Sequence, residues 1–257
     1  MDKFDIAARV RELNRASEAY YNTGQPIMSD YEFDKKIEEL KQWEEETGIV
    51  LSNSPTHNVG SLDKTKSVDE LIEFLGDKNG FLSVKCDGLT TSLHYINGEL
   101  IGAETRGDGV AGTECLQNVL TMKNVPKEIP YKDELIIDGE TIIGWDTFRE
   151  INDKLPEDKK YKHPRNLVSG SLQLLDSKEA ASRNMRFVAW RVIKGFEHKS
   201  VFFDLKRAES NGFEIVPMWS YSNNSSDKEN LSKMLEDLRY EADFHNIPYD
   251  GAVMAVD

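Results

Sequence analysis

Apolar positions near the start of the chain recur every three to four residues. Ile6, Val10, Leu13 and Ala16 mark one helix, and Phe33, Ile37, Leu40 and Trp43 a second. The second is announced by Ser29 and Glu32, spaced as a capping box, and Gly48 supplies its stop. The stretch SNSPTHNVGSLDK is dense in turn-forming residues and reads as a domain boundary, with the join near residue 58. Ser67 and Glu70 then cap a short helix that Gly76 closes.

From Phe81 the period changes from helical to alternating. FLSVKC, LTTSLHYI and ELIGAET read as strands, and the last two meet at Asn97-Gly98, a strong hairpin signal. LIIDGETI, MRFVAWRV, FEIVPMW and GAVMAV predict further strands. Helices are predicted at WDTFREIND, NLVSGSLQLL, FFDLKRAES and from Ser226 to about Asp243. Strands broken by helices without strict alternation predict an α+β chain, with a small helical domain over residues 1–58 and an antiparallel-sheet domain over 59–257.

Composition narrows the function classes. Of 257 residues, 39% are hydrophobic, so a packed core is available. Lys and Arg number 32 against 46 Asp and Glu, a net charge of −14, which disfavours a free-standing nucleic-acid binder. With Cys86 and Cys115 as its two cysteines, the chain holds neither a disulfide framework nor a four-cysteine zinc site. The five histidines share no metal spacing, no apolar run is long enough to span a membrane, and the start MDKFDIAARV is not a signal peptide. These readings predict a soluble cytoplasmic protein with no membrane partner and no protein-only metal cage.

The segment VKCDGL places Lys85, Asp87 and Gly88 where one strand ends and the next begins. A nucleophilic lysine needs burial or nearby cations, because an ordinary amine is protonated at neutral pH. Taken alone, Lys-x-Asp-Gly is better read as a surface lysine before an Asp-Gly turn. The run downstream adds TRGDG at 105–109, DGE at 138–140, HPRN at 163–166, GSL at 170–172 and DGAV at 250–253.

In this order the motifs resemble the covalent nucleotidyltransferases, and in detail the adenylation domain of NAD-dependent bacterial-type DNA ligases. The front of the chain supports the NAD-using branch. Tyr20, Tyr21, Pro26 and the run Asp30-Tyr31-Glu32-Phe33-Asp34, with SPT and VG at 54–60, resemble the helical domain that holds the nicotinamide mononucleotide half of NAD. The resemblance implies that Lys85 attacks the adenylyl phosphorus of NAD and that Asp87 orients it. It places Tyr20, Tyr21, Asp30, Phe33, Asp34, Ser61, Leu62, Ser83, Arg106, Glu140 and Trp190 on the dinucleotide, and Arg165 on DNA or nucleotide phosphate. It also implies magnesium, nicked duplex DNA as partner to a monomer, and DNA-gripping modules beyond Asp257.

The chain departs from the pattern in places. Ser83 replaces a glutamate that reads the adenine amino group, Ala255 a lysine, and Gln173 an arginine. The first two read as a paired loss, since one buried charge kept without its partner costs about 3–5 kcal/mol. They predict a drier base pocket with Trp190 stacked on adenine. A non-catalytic nucleotide-binding module is the competing expectation; the joint retention of Lys85, Asp87, Arg106 and Glu140 favours competence. An ATP-using relative is disfavoured by the segment from Tyr20 to Asp34.

Overall fold

A computed structural model of the chain describes residues 3–18, 27–49, 51, 54–56, 65–105, 112–196, 200–222 and 228–256. The described residues fall into two compact units, one over 3–56 and the other over 65–256.

The first unit is built on α1 (Lys3–Glu18) and α2 (Asp30–Thr47). Ile6, Val10, Leu13 and Leu40 form its small core, and Phe33, Ile37 and Trp43 pack around it. Ser29 caps α2 as a complete capping box, its hydroxyl accepting from the Glu32 amide while the Glu32 carboxylate accepts from the Ser29 amide. Gly48 ends the helix at φ 65°, left-handed backbone that glycine adopts without Cβ penalty. Glu44 is buried, and the Thr56 hydroxyl donates to it, so the SPT turn is tied down to α2.

In the second unit, α3 (Val68–Leu75) precedes β1 (Gly80–Cys86), β2 (Leu89–Ile96), β3 (Glu99–Thr105) and β4 (Thr113–Glu114). Then come α4 (Leu116–Val119), β5 (Leu135–Ile142), α5 (Trp145–Asn152), α6 (Pro164–Leu172) and α7 (Ser177–Ser182). β6 (Arg186–Lys194), α8 (Val201–Ser210), β7 (Met218–Tyr221), α9 (Lys228–Phe244) and β8 (Tyr249–Val256) complete it. Two antiparallel sheets result, one ordered β7-β1-β8 and the other β4-β3-β2-β5-β6. The β2–β3 hairpin turns at Asn97 and Gly98, both at positive φ, as its dipeptide predicts. One large core, including Leu82, Leu93, Tyr95, Ile137 and Phe187, fills this unit.

Two sequence expectations need correction. FEIVPMW is not one strand: β7 begins at Met218, and Ile215 makes only an isolated bridge to Ala189. Pro217 has no N–H to donate and stands just before β7, an edge strand of its sheet, where its carbonyl accepts from Val84. The helix predicted at NLVSGSLQLL lies earlier in the chain: α6 starts at Pro164, a residue suited to a first helical turn, and ends at Leu172.

Candidate active site

β1 is the central strand of the smaller sheet. Strand alternation puts Phe81, Ser83 and Lys85 on one of its faces and Leu82 and Val84 on the other. Lys85 lies opposite Gly251 of β8, and the register slips between Lys85 and Cys86, which faces Tyr249. Asp250 is the extra residue at that bulge, and bulges re-aim side chains. Its Oδ2 lies 2.5 Å from Lys85 Nζ. Both side chains are about two-fifths exposed, 41% and 45%, so water screens the pair and it contributes at most about 1 kcal/mol. The contact positions the amine more than it stabilises the fold. The described ion-pair partner of Lys85 is thus an anion, and its side chain is open to solvent.

The turn after β1 is held tightly. The Asp87 amide donates to the Pro248 carbonyl at 2.7 Å. A Cβ on Gly88 would stand 2.1 Å from the Thr141 carbonyl oxygen, so a glycine is required where the turn meets β5. The Asp87 carboxylate accepts from Arg165 Nη1 at 3.0 Å and lies 3.6 Å from His163 Nδ1. Both partners come from the start of α6. His163 is its N-cap, with Nδ1 accepting from the Arg165 amide, and Trp145 sets an edge-on ring 5.1 Å from the imidazole.

Glu140, on β5, is buried and lies opposite Thr90 of β2. The Thr90 hydroxyl donates to it at 3.2 Å. Burial pushes its carboxyl up to about 7; the Arg165 cation, the Thr90 hydroxyl and the Gly88 amide pull it back, and the Asp87 charge adds to the rise. Arg165 is thus the counter-cation shared by two carboxylates. Burial likewise drives the Cys86 thiol far above its ordinary range, which fits an inert strand residue.

The structure groups Asp87, Glu140 and Arg165 through the turn after β1, β5 and α6, and pairs Lys85, two residues before Asp87, with Asp250. Ser83 is buried one pleat repeat from Lys85 on the same face. Ala255 lies opposite Phe81, diagonal to Ser83 on that face, and Gln173 is exposed at the end of α6. Trp190 sits on β6 at the irregularity opposite Asp138 and Gly139, half-buried against the large core. Phe33 packs on the helical core of the first unit. Asp30 and Asp34 fall on α2, but their side chains, like Tyr20, Tyr21, Ser61, Leu62 and Arg106, lie outside the described residues.

Asp250, His163 and Thr90 carry contacts that the sequence analysis assigned no role. Asp250 stood in a recognised motif, yet its approach to Lys85 depends on a register 165 residues away. Among the described residues, no three His, Cys, Asp or Glu side chains group as a metal site, and no helix is long and apolar enough to cross a membrane.

Comparison with known proteins gives two family matches. Residues 52–257 match the NAD-dependent DNA ligase adenylation domain, and residues 3–60 match the DNA ligase-like N-terminal NAD+-binding domain. A DNA ligase of Lachnoclostridium phytofermentans is 40% identical, covering 94% of this chain and 40% of the relative. One of Ruminiclostridium cellulolyticum is 37% identical, covering 96% and 40%. One of Clostridioides difficile is 32% identical, covering 99% and 42%. The chain spans about two-fifths of the length of these relatives.

Proposed function

The chain belongs to the NAD-dependent DNA ligase adenylation-domain family, and on that premise we propose that it carries out the first half-reaction of ligation, transferring the adenylyl group of NAD to Lys85. The observation that carries this reading is the Lys85–Asp250 pair at the end of β1, two residues along the chain from a second group formed by Asp87, Arg165 and Glu140.

The ammonium of Lys85 first loses a proton. Asp250 is the carboxylate in reach; as a far weaker base than the amine, it orients Nζ and relays the proton to solvent. The amine then forms a bond to the adenylyl phosphorus as the pyrophosphate P–O bond breaks. Nicotinamide mononucleotide leaves with the electron pair, and the nitrogen's second proton goes to solvent, leaving a lysyl-AMP phosphoramide. Asp87, fixed by Arg165 and the Pro248 carbonyl, holds the turn that presents Lys85. Glu140 accepts from a ribose hydroxyl of the AMP. Tyr20, Tyr21, Asp30, Phe33 and Asp34 take the nicotinamide mononucleotide half, a reading supported by the match of 3–60 to an NAD+-binding domain.

Magnesium belongs to this proposal as a companion of the dinucleotide. The described carboxylates do not converge as a cage, and this ion characteristically keeps waters and substrate phosphates as ligands. Asp250 is the carboxylate best placed to share it, and when bound the ion neutralises charge on the pyrophosphate. In a longer ligase the adenylate would pass to a 5′-phosphate at a nick, with Arg165 on phosphate.

Release of nicotinamide mononucleotide tests the proposal. NAD should yield one equivalent per chain and ATP should not replace it, while Asp250→Asn should slow release by about 10–100-fold. Release without NAD dependence, or undiminished in Lys85→Ala, would overturn it.

A further inference from the structure

His163, the first residue of the HPRN run, faces two partners with one nitrogen. As N-cap of α6 it accepts the Arg165 amide on Nδ1, so the proton of the neutral ring stands on Nε2. The same Nδ1 lies 3.6 Å from Asp87 Oδ2, outside hydrogen-bond distance, as two facing acceptors must be. Asp87 takes its hydrogen bond from Arg165 Nη1, which donates to Oδ1 at 3.0 Å. The start of one helix therefore faces both oxygens of a carboxylate that stands two residues from Lys85.

A proton added to the ring reverses what Nδ1 can do, because a charged imidazole donates from both nitrogens and accepts at neither. The Arg165 amide then loses its acceptor, and the Asp87 carboxylate gains a donor. A charge-assisted contact of this kind closes to about 2.7–2.9 Å, so Asp87 and the ring must approach each other. The ring is backed by Trp145, edge-on at 5.1 Å, and the turn has no slack at Gly88, so the movement reaches the segment that presents Lys85. The imidazole is one-third exposed, which lets solvent supply the proton.

The other charged groups of the surrounding elements leave this exchange to Asp87. Arg165 lies on the same helix, Glu140 of β5 interacts with Arg165, and Lys162 is exposed. Asp138 of β5 lies opposite Arg191, and His94 of β2 pairs with Glu134. On α5, Asp146 is engaged with Arg149 and Asn246, and Glu150 is exposed; α4 carries no ionisable side chain.

Resting on the adenylyl-transfer reading, we propose that His163 is a positioning residue for Lys85. Neutral, it caps α6 and leaves Asp87 to Arg165; protonated, it draws Asp87 out of the arrangement that presents the amine.

The experiment follows lysyl-AMP formation from NAD and magnesium by intact-protein mass between pH 5.5 and 8, within the span where imidazoles change charge. The native chain is run beside His163→Asn and His163→Ala, with melts showing each folded at every pH. Asparagine caps helices well and does not titrate in this range. Lys85 and Glu140 titrate in every variant, so the ratio of native to His163→Asn rates isolates the imidazole. The two should agree within about threefold at pH 8, and the native chain should fall below the variant by about tenfold or more at pH 5.5. His163→Ala, which has no acceptor for the Arg165 amide, should be about tenfold slower than the native chain at pH 8. A ratio constant across pH, or full activity in His163→Ala, would overturn the proposal and leave the adenylyl-transfer reading standing. No adduct in the native chain at any pH would overturn that reading and this proposal with it.

Discussion

Glu140 has a carboxyl pushed up to about 7 from its ordinary 4.5, chiefly by burial. Well below pH 4.5 the group is protonated in both folded and unfolded chains. Between there and 7 the unfolded chain ionises first, so stability falls as pH rises and then levels off once the folded group has ionised. The span corresponds to on the order of 3 kcal/mol. Glu140→Gln keeps an acceptor for Thr90 and removes this penalty. Its melting temperature should match the native chain near pH 4.5 and exceed it by several degrees at pH 8, in melts run across that range. An offset independent of pH would show that Glu140 does not titrate this way. Much of this site was legible in the sequence, because Lys85, Asp87 and Glu140 sit in short local motifs beside strand ends. Asp250 was harder to read, since its role depends on a bulge that no local pattern displays. Arg165 was read toward phosphate, and the structure adds an internal carboxylate that its spacing could not reveal.

Turns and glycines position these groups at the element scale. The Asp87-Gly88 turn presses against β5, with no room for a Cβ between Gly88 and the Thr141 carbonyl. Gly88→Ala must push the turn off β5, costing about 3 kcal/mol or more, and should displace Asp87 enough to suppress lysyl-AMP formation. Thermal melts and adduct mass would check both parts; native stability with full activity would contradict the placement. The β2–β3 hairpin, the capped α2 and the short α3 were predictable because their signals are local. β7 was not, because Pro217 interrupts the ladder within an otherwise apolar run. The two-residue β4 and the short α4 and α7 lack a long period to detect.

For the whole molecule, the helical and sheet units appear in sequence as a change from helical to alternating period. The helical unit has a core of four fully buried apolar residues, with the larger side chains of Phe33 and Trp43 around it. A net charge of −14 opposes phosphate binding. These 257 residues alone should therefore bind nicked duplex DNA no more tightly than about 10 µM at physiological salt. Fluorescence anisotropy across a salt series would check this, and nanomolar binding would show a DNA surface that the charge balance hides. The central claim is covalent, and the most direct measurement is intact-protein mass after incubation with NAD and magnesium, beside Lys85→Ala. The account predicts a gain of one AMP in the native chain and none in the variant. Addition of AMP to both would contradict it, as would a native chain that binds NAD and magnesium yet never gains mass.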